Sequence, residues 1–167
     1  TVTISDTGVL TASADSLINS VTLGRGGGAI LTNVAVGWTA LSANTGSSNS
    51  AFGSQALTAN VDGNFNTACG TSSMYSNTSG SSNAGLGSAT LPFNTTGYSN
   101  TASGSAALFS NTTGNTNTAL GKSAGNTTTT GSNNTFLGFD AEGSSATVSN
   151  EITLGNTAVT KFRIPGI

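Results

Sequence analysis

Glycines that follow an apolar residue, or in one unit Ser103, recur along the chain at a nearly constant spacing. These marker glycines are separated by one step of 16 residues and then by steps of 17. They are Gly37, Gly53, Gly70, Gly87, Gly104, Gly121, Gly138 and Gly155. A register kept without a break over residues 37–155 indicates an internal repeat and argues against disordered low-complexity sequence.

Three polar or glycine positions keep the same register. Turn glycines lie seven residues before the marker, at Gly46, Gly63, Gly80, Gly97, Gly114 and Gly131. A first asparagine row lies four residues before it, at Asn33, Asn49, Asn66, Asn83, Asn100, Asn117 and Asn134. A second asparagine row follows it by seven residues, at Asn44, Asn60, Asn77, Asn94 and Asn111. We interpret one unit as a short strand, a glycine bend, a second short strand ending at asparagine, and a turn.

A 17-residue unit is too short for a helical-hairpin repeat, and its Gly, Asn and Thr content disfavours helix. The unit suits one coil of a β-solenoid, in which like positions stack at roughly 4.8 Å. We therefore predict an all-β protein of about eight such coils. Glycine would recur because a tight bend needs positive φ, and asparagine because it tolerates that region and its amide can bond along a ladder of identical neighbours.

Two rows of the predicted strand differ in size. An alanine row, two residues before the marker, holds Ala35, Ala51, Ala68, Gly85, Ala102 and Ala119. A bulky row, one residue before it, holds Val36, Phe52, Cys69, Leu86, Ser103, Leu120, Leu137 and Leu154. Adjacent strand residues point to opposite faces, so we predict the bulky row inside the coil and the alanine row against neighbouring chains, with the reverse assignment open. A coil this thin encloses little, which favours burial against copies of itself.

Composition excludes several functions. Only 6% of the residues are charged, with four Lys or Arg and a net charge of −2, so we expect no nucleic-acid partner. Cys69 is the single cysteine, which excludes an internal disulfide. The chain has no histidine, which excludes a Ser-His triad and histidine metal sites. We predict a protein that is not an enzyme and that carries no cofactor or metal.

Candidate chemical motifs have structural explanations. In "TNTALGKS" the first glycine of a phosphate-binding loop is replaced by Thr116, and Gly121 is a marker glycine. Asp140 and Glu142 could form a glycosidase pair, but solvated charge near the end of the solenoid explains them more simply. Cys69 is predicted to be a small buried hydrophobic residue. The glycosylation sequons at Asn77, Asn94, Asn111 and Asn126 follow from the repeat itself.

Aromatic residues are the candidate receptor contacts. Phe65 and Tyr98 lie just after a turn glycine, and Phe93 lies just before a turn. Trp38 and Phe139 follow marker glycines. These side chains either cover coil ends and gaps between chains or form an apolar platform for a sugar ring or receptor. Phe65, Phe93 and Tyr98 are the contacts that we predict.

The repeats "NSAFGSQALTANVDG", "NTALGKSAGNTTTTG" and "NEITLGNTAVTKFRIPGI" resemble repeats in the tail fibres of tailed bacteriophages, cyanobacterial phages among them. They are also similar to the left-handed parallel β-roll heads of trimeric autotransporter adhesins, whose unit is shorter. The resemblance covers residues 19 to about 160, with "NSVTLGRGGGAI" as an irregular first coil. It implies a left-handed β-roll assembled as a parallel homotrimer. It also implies a lead-in from a stalk at residues 1–18, a repeat domain at 19–160, and a connector at 161–167 towards a C-terminal chaperone or tip domain.

The resemblance implies a structural and adhesive fibre segment in a virion. Its partners would be other tail or fibre proteins and a host receptor, either a polysaccharide or an outer-membrane protein. Two alternatives are a head domain on a bacterial cell surface and a non-adhesive solenoid such as an ice-binding protein. Ice binding needs a regular threonine array, and the threonine row three residues before the marker is broken by Ala84. That row reads Val34, Ser50, Thr67, Ala84, Thr101, Thr118, Thr135 and Ile152.

Overall fold

A computed structural model describes residues 2–4, 10–12, 16–18, 21–24, 26–27, 30–161 and 163. These residues form short β-strands and no α-helix. The strands are β1 (Val2–Ile4), β2 (Leu10–Ala12), β3 (Ser16–Ile18), β4 (Val21–Gly24), β5 (Val34–Val36), β6 (Ser50–Phe52), β7 (Thr67–Cys69), β8 (Ala84–Leu86), β9 (Thr101–Ser103), β10 (Thr118–Leu120), β11 (Thr135–Leu137) and β12 (Ile152–Leu154).

Strands β5 to β12 form a parallel β-solenoid of about seven turns, because each strand pairs in parallel with the strand of the next coil. Pairing follows the sequence repeat: Ala51 lies opposite Ala68, and Ala102 lies opposite Ala119. Each of these strands ends directly before a marker glycine. The predicted all-β solenoid is thus confirmed, with about seven turns in place of about eight coils.

The second strand predicted in each unit is wrong. Residues after the marker glycine form a turn, because the second and fourth of them have left-handed backbones, as in Gln55 with φ 62° and Leu57 with φ 52°. Successive coils still bond along this segment: the Leu57 N–H donates to the Ser73 carbonyl at 3.0 Å. The coil therefore needs only one extended segment, and the alternation of backbone conformation carries the chain around the rest.

The N-terminal strands have a different arrangement from the repeats. Strands β1 and β2 pair antiparallel, as do β3 and β4. Strand β4 pairs antiparallel with β5, with Leu23 opposite Val36, so the irregular first coil predicted at residues 19–30 is not wound like the coils that follow. The predicted boundaries after residues 18 and 160 stay predictions. Residues 162 and 164–167, most of the predicted connector, lie outside the described residues.

The predicted assignment of the strand faces is inverted in the structure. Side chains of the alanine row are fully buried inside the coil, Ala51 and Ala102 among them. The bulky row points outward, and Phe52, Leu86 and Leu120 are 43%, 47% and 50% exposed. The reason is that the interior is already occupied by a row four residues after the marker, which leaves room only for a methyl group opposite. That core row is Leu41, Leu57, Met74, Leu91 and Leu108.

The two glycine rows recur for different reasons. Marker glycines have positive φ, as predicted; Gly53, for example, has φ 140°. Turn glycines do not have positive φ, so that explanation is wrong for them. A Cβ on Gly80 would collide with the Gly97 carbonyl oxygen of the next coil, so these glycines permit close stacking of backbones.

Both asparagine rows are buried and form ladders, as predicted. In the first row, the backbone N–H of Asn100 donates to Asn83 Oδ1 at 2.9 Å, and Asn100 Nδ2 donates to the Gly114 carbonyl at 2.8 Å. In the second row, Asn94 Nδ2 donates to Asn77 Oδ1 at 2.8 Å. Neither row has positive φ, so tolerance of that region does not explain them. The ladders instead satisfy most of the buried polar groups along the two rows.

Candidate binding surfaces

An outer sheet face is formed by the first and third residues of β5 to β12, that is, by the threonine row and the bulky row. The middle residue of each strand points into the coil and the flanking residues point out. The face carries no charged side chain, and its bulky row is interrupted only by Ser103. Ile152 and Leu154 extend it to the last strand, where they are 72% and 44% exposed. The bulky row thus forms an apolar stripe along the solenoid beside the mostly hydroxyl-bearing threonine row, and exposed apolar surface of this extent is typical of a protein interface.

Cys69 lies on this outer sheet face and is exposed. The prediction of a buried cysteine is therefore wrong, for the same reason that the face assignment is wrong: the third residue of each strand points outward. Its neighbours in the bulky row are Phe52 and Leu86, which align with it in the parallel pairing.

A second surface, the aromatic groove, has a volume of about 360 Å³. It is lined by Gln55, Ser72, Tyr75, Ala89, Pro92, Phe93 and Phe109. Tyr75, Pro92 and Phe109 occupy one stacked position, five residues after the marker glycines of three successive coils. The rings of Phe93 and Phe109 pack edge to face, with centroids 5.1 Å apart and an interplanar angle of 89°.

The structure separates the three predicted receptor contacts. Phe93 lies in the aromatic groove and is 48% exposed. Phe65 and Tyr98 are also exposed, at 64% and 52%, but they belong to the segment after the turn glycine and do not line the groove. Tyr75 and Phe109 were missed, although their shared position in the repeat was visible in the sequence.

Two further exposed aromatic side chains directly follow marker glycines. Trp38 is 54% exposed and Phe139 is 59% exposed. The Lys122 ammonium lies 6.0 Å from the centroid of the Phe139 ring, within reach of a cation–π contact.

Carboxylates near the last coils accept hydrogen bonds from loops. Glu142 accepts from the backbone N–H groups of Asn126 and Thr127 at 2.9 and 3.1 Å, and from the Thr127 hydroxyl at 2.6 Å. Together with Asp140 it borders a depression of about 380 Å³. The contacts of Glu142 give it a structural role in place of the simple solvation that was predicted.

Glu151 stands where the first asparagine row would continue, and its N–H donates to Asn134 Oδ1 at 3.0 Å. Its carboxylate accepts from the Ser144 hydroxyl at 2.6 Å and from the Ser144 N–H at 3.0 Å. The hydrogen bond from the Ser144 hydroxyl is the largest cause of the lowered pKa of this carboxyl group.

Within the part of the chain that the structure describes, no three His, Cys, Asp or Glu side chains gather to hold a metal ion. The same part contains no helix that could cross a membrane.

No protein-family model matches the chain, and neither the curated proteins nor the solved structures contain a match.

Proposed function

We propose that the chain is a structural and adhesive segment of a trimeric phage tail fibre that takes part in host attachment. The observation that carries this proposal is the outer sheet face, where large apolar side chains such as Leu86 and Leu120 lie in line and half exposed. A monomer would leave this surface in water over the whole length of the solenoid. Such patches favour association with a partner.

A parallel copy of the same chain is the partner that fits this face best. The bulky row repeats once per coil, so a partner that covers it must present apolar groups at the same step of roughly 4.8 Å. A second and third copy arranged around a three-fold axis do so by symmetry. Since the alanine row is inside the coil, we assign the contact between chains to the bulky row.

Light scattering of the purified chain tests the assembly. We expect about three times the 16.2 kDa of one chain. Leu86→Asp and Leu120→Asp should dissociate the trimer, because each would bury an unpaired charge in the interface. Val61→Asp is the matched control, because Val61 is 48% exposed and lies off the outer sheet face. A stable folded monomer of the unmodified chain would contradict the proposal.

The exposed thiol of Cys69 provides a second test, which leaves the cysteine itself unchanged. In the proposed trimer, a neighbouring chain covers the outer sheet face and with it Cys69. A maleimide should therefore react with Cys69 much more slowly than it does after Leu86→Asp dissociates the chains. Equal rates in the two proteins would place the contact between chains elsewhere.

Adhesion is tested by adding the trimer to candidate host cells at low and high ionic strength. With 6% charged residues, attachment should depend little on salt. Three copies of weak contacts can raise avidity about 10²- to 10⁴-fold. We also expect no release of sugar, because the chain lacks histidine and offers no convincing acid and base pair. Steep loss of binding with salt, or depolymerisation of surface polysaccharide, would contradict passive attachment.

A further inference from the structure

We infer that the aromatic groove binds a neutral sugar ring of a host-surface glycan. This inference rests on the proposed adhesive function and names the class of ligand. The groove is open to solvent, has a volume of about 360 Å³, and combines aromatic surface with a few polar groups, so it suits a ring that stacks on it and not a ligand that it encloses. A sugar ring has the matching chemistry, since one of its faces presents C–H groups and its edges present hydroxyl groups.

The aromatic side of the groove is held in place by packing. Tyr75 and Phe93 are 41% and 48% exposed, so each offers ring surface to a ligand. Pro92, which directly precedes Phe93 and stacks one coil after Tyr75, is buried. The edge-to-face contact with Phe109 restricts the orientation of the Phe93 ring. A ligand therefore meets ring surfaces that need little rearrangement.

The polar side of the groove has unused hydrogen-bonding capacity. Ser72 Oγ lies 3.3 Å from Gln55 Oε1 and donates to it, which orients the amide. Among the described residues, neither Gln55 Nε2 nor the Tyr75 hydroxyl has a hydrogen-bond partner. These groups can bond to the hydroxyls at the edge of a ring that stacks on the aromatic side.

Charge and extent favour a discrete neutral ligand over other occupants. None of the residues that line the groove is charged, so it offers an anionic glycan no ion pair. The aromatic residues are confined to three successive coils, a length of roughly 10 Å at the usual strand spacing. A contact with a second copy would be expected to recur in every coil, as the bulky row does.

An array of immobilised neutral and anionic glycans, probed with the labelled trimer, tests the inference. We expect retention on neutral hexose glycans, weakened roughly 3- to 10-fold by Tyr75→Ala and by Phe93→Ala. Leu31→Ala and Val61→Ala are controls that remove exposed apolar side chains outside the groove and should bind as the unmodified chain does. Circular dichroism and light scattering of each variant check that fold and mass are unchanged.

Several results would overturn the inference: no retention on any neutral glycan, retention on anionic glycans alone, equal losses in the control variants, or a change of oligomeric mass in Tyr75→Ala. Host-cell attachment separates the two proposals. If the groove variants attach to cells as well as the unmodified trimer does, the groove is not the site, while the adhesive function stands. If the trimer binds neutral glycans through the groove but attaches to no cell, the adhesive function fails and the groove assignment stands.

Discussion

Phe136 fills space that Gly125 leaves inside the solenoid. Phe136 holds a place in the alanine row, and Gly125 holds a place in the core row where earlier coils have leucine or methionine. Both are fully or nearly fully buried, and a Cβ added to Gly125 would collide with the Phe136 ring. The large side chain thus stands in the alanine row and the small residue in the core row, the reverse of the earlier coils. The core volume of the coil is kept although both rows depart from the repeat.

A double-mutant cycle tests this exchange. Phe136→Ala should destabilise the chain by about 3–5 kcal/mol because it leaves a cavity. Gly125→Leu should also destabilise it, because the new side chain meets the ring. The double variant should recover much of the loss: Gly125 has φ 63°, close to the φ of 50° at Leu108, so the backbone accepts leucine there. Denaturant unfolding measures the four proteins, and additive losses would show that the two residues do not share space.

Ala102→Leu should destabilise the chain by about 1–3 kcal/mol through overpacking of the coil interior. Ala102 is fully buried, and Ala119 lies opposite it on the next strand. Thr112→Ala is the control, because its hydroxyl makes one partly buried bond to the Thr129 carbonyl at 3.1 Å and should matter little. Thermal melting of both variants decides the point, and equal shifts would show that the interior is less tightly packed than its burial indicates.

Asn100→Ala should cost about 1–3 kcal/mol because it leaves the buried N–H of Asn117 without its acceptor. It also removes the donor to the Gly114 carbonyl. Asn126→Ala is a matched control, since the Asn126 side chain has no hydrogen bond to the described residues and its N–H keeps Glu142 as acceptor. A similar loss of unfolding free energy in both variants would contradict a stabilising ladder.

Thr128→Asn should stabilise the chain. The second asparagine row ends at Asn111, and both Asn111 Oδ1 and Thr128 Oγ1 are buried without a hydrogen-bond partner. An asparagine at 128 would donate to Asn111 Oδ1 and to the Gly131 carbonyl, as Asn111 donates to Asn94 Oδ1 and Gly114. The gain should be about 1 kcal/mol in denaturant unfolding. Thr130→Asn serves as the control, because Thr130 is exposed, and no gain at 128 would mean that the ladder cannot be extended there.

Acid should weaken the last coil through Glu151. Its carboxyl pKa is lowered in the folded chain from an ordinary value of 4.5, so its stabilising effect is present above that pH and is lost as pH falls through the folded pKa. Melting temperature measured between pH 7 and pH 3 should therefore fall more for the natural chain than for Glu151→Gln. Asp62→Asn, which alters an exposed carboxylate, should follow the natural chain. Parallel curves for the natural chain and Glu151→Gln would contradict this role.

The period, the register and the asparagine ladders follow directly from the order of residues in the chain. Each coil lies on the next, so residues at equivalent positions of successive coils must pack against one another. This requirement is visible in the sequence as a regular repeat. The marker glycines and the asparagine rows could therefore be read directly. The stacked position of Tyr75, Pro92 and Phe109 could have been read from the register in the same way.

Which strand face is enclosed depends on how the whole coil folds. Alternation along a strand separates Ala102 from Ser103 but does not say which of them points inward. That choice depends on how the residues after the marker turn, and there the left-handed backbones at positions such as Gln55 and Leu57 send the core row inward. The same turn brings Gln55 and Phe93 to one groove, because it sets the distance between rows that lie far apart within a coil.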